Sequence, residues 1–184
     1  MSRYIVFNKP YGVLSQFTPE GGHRSLSEFG LPKDVYAAGR LDHDSEGLLL
    51  LTDDGPLIKR LLSPGAKEKT YWVQVERIPT SESIEQLKRG VEISGERTRP
   101  CMARLIEDPH FPERDPPVRF RKNIPTQWIE IILTEGKNRQ VRRMTAAVGF
   151  PTLRLVRVGL GKLNLFDFDL SPGEWREVQG NMIL

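Results

Sequence analysis

Short apolar runs separated by turn residues set the first picture of this chain. Residues 4–7 (Tyr-Ile-Val-Phe) read as a strand, and Lys9-Pro10-Tyr11-Gly12 as the turn after it, with Pro10 fixing φ and Gly12 free to take φ > 0. Residues 13–17 resume as a strand before a polar, Gly-rich loop. Leu48-Leu49-Leu50-Leu51-Thr52 is an unbroken apolar run bounded by turn signals, which predicts a buried strand. Asp54 then caps a short helix over residues 56–62, with Pro56 in its first turn. Residues 69–76 are β-branched and aromatic and predict a strand. A helix is predicted over residues 81–89, capped by Thr80 or Ser81 and ended by Gly90. Strands follow at residues 99–107 and 128–133.

Val141, Met144 and Val148 share one face of a helix predicted over residues 138–148, while Arg139, Arg142 and Arg143 share another. Gly149 and Pro151 end it. Residues 153–158 alternate at period two, and residues 162–166 return as a strand after Gly159-Leu160-Gly161. Between these elements, residues 108–126 hold Pro109, Pro112, Pro116, Pro117 and Pro125, which excludes a regular helix or a central strand. An extended surface excursion is expected there. The tally is about eight strands and a few helices, clustered by hairpins, so the predicted class is α+β with a mainly antiparallel mixed sheet.

Composition narrows the setting. The chain has 184 residues, 38% of them hydrophobic and 28% charged, and one cysteine. No intramolecular disulfide can form, which fits a reducing, cytoplasmic compartment, and Cys101 reads as a small buried residue. No apolar run approaches the ~20 residues that span a bilayer. The net charge is +3, yet residues 136–166 carry Lys137, Arg139, Arg142, Arg143, Arg154, Arg157 and Lys162 without an acidic residue. That segment is +7, which leaves −4 for the rest. Such asymmetry is the footprint of a polyanion partner, although a solvated face gives the same count.

Chemistry concentrates in Gly39-Arg40-Leu41-Asp42-His43-Asp44-Ser45-Glu46-Gly47. A solvated acidic turn, an oxygen-ligand metal site, a two-carboxylate glycosidase and a single aspartate nucleophile compete for this loop; it has no EF-hand pattern for the metal, and spacing alone does not establish a glycosidase pair. His23, His43 and His110 stand far apart with different neighbours, which argues against zinc. No phosphate-binding loop, dinucleotide fingerprint or Gly-x-Ser-x-Gly frame occurs. Tyr71 and Trp72 are strand neighbours and must face opposite ways, so one can be core while the other meets a ligand.

Four segments carry a resemblance. Gly39-Arg40-Leu41-Asp42, continued by Ser45-Glu46-Gly47-Leu48-Leu49-Leu50-Leu51-Thr52-Asp53-Asp54-Gly55, resembles the signature of bacterial ribosomal pseudouridine synthases, in the branch that modifies single sites of small- and large-subunit RNA. Lys69-Thr70-Tyr71 is similar to the family's second motif, and the run from Glu135 to Met144 to its third. Asn8-Lys9-Pro10-Tyr11-Gly12 also fits. The resemblance implies one catalytic domain over residues 1–184, built of two α/β halves sharing a sheet around a central cleft, without a separate N-terminal RNA-binding domain. It implies isomerisation of a uridine in ribosomal RNA, 23S RNA above all, which changes no oxidation state and needs no cofactor; a monomer without a metal is expected. Asp42 would be the nucleophile, Tyr71 would stack on the target base, and Lys137 would pair with Asp42, with Arg139 as the substitute. Arg40, Arg139, Arg142, Arg143, Arg154 and Arg157 would bind the RNA, the last four by holding phosphates. A non-catalytic RNA-binding assembly factor is the rival: it explains the basic segment and leaves the Gly-Arg-Leu-Asp loop without a purpose.

Overall fold

The computed structural model describes residues 1–65 and 67–184. The chain forms two compact units, Met1–Lys69 with Val156–Leu184, and Thr70–Leu155. The expected α+β class holds: among the described residues there are eleven strands and three α-helices.

In the first unit, β1 (Tyr4–Lys9) pairs antiparallel with β3 (Glu46–Thr52) along its whole length, and with β11 (Trp175–Val178) on its other side. The far edge of β3 is divided between two partners. Residues 50–52 pair antiparallel with β2 (Tyr36–Ala38), while Glu46 and Gly47 pair in parallel with Val156 and Arg157 of β9 (Thr152–Leu160). With partners on both edges and both faces covered, every residue of β3 is buried. That is why an unbroken Leu run, rather than an alternating one, makes this strand. Burial of each Leu contributes roughly 2 kcal/mol. Leu48 and Leu50 join Val6, Leu57, Leu61, Leu160 and Phe168 in one core. The helix α1 (Gly55–Leu62) covers that core, with Asp54 accepting the Leu57 N–H at 3.0 Å as its cap.

In the second unit the strand order is β4 (Lys69–Glu76), β8 (Thr126–Leu133), β7 (Met102–Ile106). Tyr71, Val73 and Val75 of β4 pack with Ile129, Ile131, Val141 and Met144 in a second core. Two helices serve it, α2 (Ser81–Arg89), capped by Thr80 and ended by Gly90 at φ +94°, and α3 (Gln140–Ala147). The alternate residues of β4 meet the Pro-rich segment instead. Trp72 lies against Phe111, and the Gln74 amide donates to the Thr126 hydroxyl.

Three expectations need correction, and one element is new. Residues 13–17 form no strand; Val13 makes a single bridge to Arg24, because the Ser15 side chain and the Gln16 carbonyl are used by the neighbouring loop and turn. The return strand at 162–166 shrinks to β10 (Leu163–Asn164), since Asn164 caps a 3-10 turn at Leu165–Asp167. The third helix begins at Gln140, with Arg139 left-handed at φ +50° before it. A hairpin of β5 (Glu92–Ile93) and β6 (Glu96–Arg97) was not expected. It turns on Ser94 and Gly95, both at positive φ. Among the described residues no helix is long and apolar enough to cross a membrane.

Candidate active site

Asp42 sits in the loop between β2 and β3, in the first unit. Its own carbonyl accepts the Ser45 N–H at 3.0 Å, closing a turn that carries the carboxylate at its start. The residues on either side of it are pinned. Leu41 is bonded twice to Ser15: its N–H donates to Oγ at 3.1 Å, and Oγ donates to its carbonyl at 2.7 Å. The His43 carbonyl accepts the Gly12 N–H at 2.6 Å and the Lys9 ammonium at 3.3 Å. Asp42, half-buried, is therefore presented by a backbone held on both sides.

Two buried cations lie beneath this loop. Lys9 is 0% exposed and spends its ammonium on the carbonyls of Pro10 (2.8 Å) and Val13 (2.7 Å) as well as His43. Burial pushes its pKa down to about 7; the carboxylates of Glu46, Asp44 and Asp42 oppose that shift and Arg157 adds to it. Arg157 is 1% exposed and donates from Nε to the Leu48 carbonyl at 3.0 Å and from Nη2 to the Gly39 carbonyl at 2.6 Å. Nearby, Arg40 is exposed and reaches the Gln16 side chain at 2.9 Å. His23 and His43, expected to lie apart, bring their rings to 4.1 Å between centroids. Among the described residues no three His, Cys, Asp or Glu side chains gather as a metal would need.

The other candidates belong to the second unit. Tyr71 is half-buried against that unit's core. Lys137, just before α3, pairs with Glu96 at 2.7 Å and approaches Glu135 at 3.9 Å, and the Glu96 contact raises its pKa. Arg139 is the left-handed residue just before α3, and Arg142 is half-buried on the helix. Arg143 is exposed, donating to the Ser94 hydroxyl and the Asn138 side chain. Cys101 donates its thiol to the Leu87 carbonyl, and burial pushes its pKa up to about 11, so it is no nucleophile at neutral pH.

Two residues expected to hold phosphates have intramolecular partners. Arg157 is consumed by backbone carbonyls inside the first unit. Arg154, 8% exposed, donates to the Pro112 carbonyl and lies over the Phe111 ring. The physical reason is the strand: residues 154 and 157 are three apart on β9, so they face opposite ways and cannot share one basic surface.

Known proteins give this geometry a context. The profile of the RNA pseudouridylate synthases matches residues 3–147, which takes in the Asp42 loop, Tyr71 and the start of α3. The chain belongs to that family. It is 56% identical over 177 residues to the ribosomal large subunit pseudouridine synthase E of Vibrio vulnificus, covering 96% of this chain and 75% of the relative. It is 58% identical over 176 residues to the enzyme of the same name from Xanthomonas campestris, covering 94% and 93%. A crystal structure of a pseudouridylate synthase superposes with a TM-score of 0.81 at 28% identity, over 98% of this chain and 72% of that one.

As a pseudouridylate synthase, the chain contains three groups that pattern reading passed over: Lys9, Ser15 and the loop-holding use of Arg157. Lys9 offered a signal, a lysine in a strand-ending turn where a solvated side chain would need no fixed neighbours. Ser15 offered none.

Proposed function

We propose that this pseudouridylate synthase isomerises a specific uridine of ribosomal RNA, in the large subunit's 23S RNA, with Asp42 as its nucleophile. The large-subunit synthases E to which it is more than half identical support the substrate. The observation that carries the role of Asp42 is its presentation by a pinned backbone, with Leu41 and His43 both fixed.

The reaction breaks the bond between uracil N1 and C1′, turns the base, and joins C5 to C1′. N1 gains a proton and C5 loses one to water, so no electrons change hands. An ionised carboxylate is needed at the sugar–base junction, either to attack C1′ or C6 or to act first as a base at C2′; each route regenerates it. Tyr71 supports the base by stacking, as aromatic side chains do with unstacked RNA bases. The cation that pairs with the carboxylate and orients it comes from the segment before α3. Lys137 is the first candidate, and its present pairing with Glu96 makes Arg139 a real competitor. Arg40, Arg142 and Arg143 contact the RNA backbone, where they give affinity with a steep salt dependence.

Tritium release from large-subunit RNA labelled at uridine C5 tests the assignment. The wild-type protein is expected to release tritium, and Asp42→Asn to fall by at least about 1,000-fold. Equal release by the two removes Asp42. Tyr71→Ala is expected to lower turnover by about 100-fold, in line with about 3 kcal/mol of stacking. Lys137→Met and Arg139→Met, assayed side by side, identify the cation as the one whose loss lowers kcat rather than raising KM.

A further inference from the structure

We infer that Arg157 is a positioning residue for the reaction: its guanidinium ties the two ends of the Asp42 loop together and so fixes where the carboxylate stands. The two carbonyls it binds flank the nucleophile along the chain, Gly39 three residues before and Leu48 six after. They are held by one rigid planar group. The separation of the loop's ends is thus set by guanidinium geometry rather than by loop flexibility.

Three further features support this reading. Arg157 is the largest fully buried side chain among the described residues, a costly place for a charge unless its donors are used. Its backbone stands opposite Gly47 in the parallel β3–β9 pair, so it is seated at the point where the loop becomes strand. A side chain on Gly47 would come within 2.3 Å of the Arg157 carbonyl, and Gly47 is at φ +104°, so glycine is required for that close approach. Gly39 also faces the guanidinium: a Cβ there would meet Nη1 at an ordinary 3.6 Å, but its φ of +80° strains any other residue. Lysine in place of Arg157 keeps the charge but offers one nitrogen, which cannot reproduce a planar two-point clamp.

The test uses full-length Arg157→Lys. Its kinetic arm rests on the function proposed above; its amide-exchange arm does not. Expected are a kcat for pseudouridylation lowered about 100-fold with KM within twofold, as for a displaced reacting group, and faster exchange confined to residues 39–48. Unchanged kcat in the folded variant overturns the proposal. So does a rise in KM alone, which would mark an RNA contact, and so does faster exchange throughout the first unit, which would mark a general structural role. If Arg157→Lys does not fold, Gly39→Ala disturbs the same clamp from the loop side and is expected to show the same kcat loss at constant KM; unaltered kcat there overturns it equally. A wild-type protein without tritium release would defeat the proposed function while leaving the exchange result to decide the clamp.

Discussion

Residues 39–45 and residues 107–125 are both irregular, and they are held with different emphasis: both have backbone carbonyls bound from outside, at Pro112 and Pro125 in the second case, but the second adds a set of its own side-chain anchors. The Asp42 loop is gripped from outside. Ser15, Lys9 and Arg157 belong to other segments, and they bind its backbone carbonyls. The Pro-rich segment grips with its own side chains. Phe111 rests on Trp72 and Trp128, Arg114 donates to the Leu153 carbonyl, and Arg121 pairs with Glu76. A loop anchored through its backbone can commit its side chains to chemistry. A loop that adds anchors through its side chains has committed those side chains to packing. The acidic loop has the first design, which is the design a nucleophile needs.

The largest expected effect breaks the first kind of anchoring at its root. Gly47→Ala places a methyl group against the Arg157 carbonyl at a φ that L-residues avoid, and neither backbone can yield without parting β3 from β9. We expect a loss of about 4 kcal/mol or more, or no folded protein, measured by urea unfolding. A loss below about 1 kcal/mol would mean that the loop's exit is not rigid.

Phe111→Ala attacks the second kind. Its ring lies 5.9 Å from Trp72, 5.5 Å from Trp128 and 5.6 Å from the Arg154 guanidinium carbon. A cost of about 2 kcal/mol is expected, below the fully buried range because Phe111 is only half-buried. Turnover per folded molecule should stay within about twofold if the segment is purely packing. A large kcat loss in the folded variant would show that the two regions are not separable by their anchoring.

Lys9 sharpens the comparison through pH. Between its folded value of about 7 and its ordinary 10.5, the unfolded chain holds the proton and the folded protein has released it. Stability therefore rises with pH across that window, and the cost of burying the charged form is present in full below it. Cys101 acts oppositely: its thiol, raised to about 11, is ionised first in the unfolded chain and lowers stability above pH 9. The clean interval is pH 7 to 8.5, where denaturant unfolding of wild type should show an upward slope that Lys9→Met lacks. Identical slopes would mean that the three carbonyl acceptors keep Lys9 charged throughout.

What could be read beforehand follows from locality. The Leu run of β3, the Asp54 and Thr80 caps and the Gly90 stop are decided within a few residues, and all appear in place. Asp42 is singled out by the order of the motifs around it. The Ser94-Gly95 hairpin was also local and was passed over, although a Ser-Gly pair between short polar strands is a turn signal. What pattern reading could not supply is long-range. Arg157 lies 118 residues from the carbonyl it clamps, and Ser15 is 26 from Leu41. A count of basic residues treated Arg154 and Arg157 as surface, since composition does not register which face of a strand a residue takes. The alternation rule already put those two on opposite faces.

The smallest expected effect concerns the outer rim of the Pro-rich segment. Arg121 is exposed, while the Glu76 carboxylate it binds is largely covered and also meets Arg77 at 3.5 Å. The Arg121 guanidinium holds the Glu76 carboxyl below the usual carboxylate range. A group with a depressed folded pKa adds stability above its unfolded value, and that stability is lost as pH falls through the folded value. Arg121→Ala should therefore lower the thermal midpoint slightly at pH 7, with Arg77 retaining part of the pairing, and the gap from wild type should close in acid. A gap that persisted well below pH 4 would show that Arg121 acts through packing of its stem along the segment, not through charge. Either way kcat should not move, because no backbone near Asp42 depends on this pair.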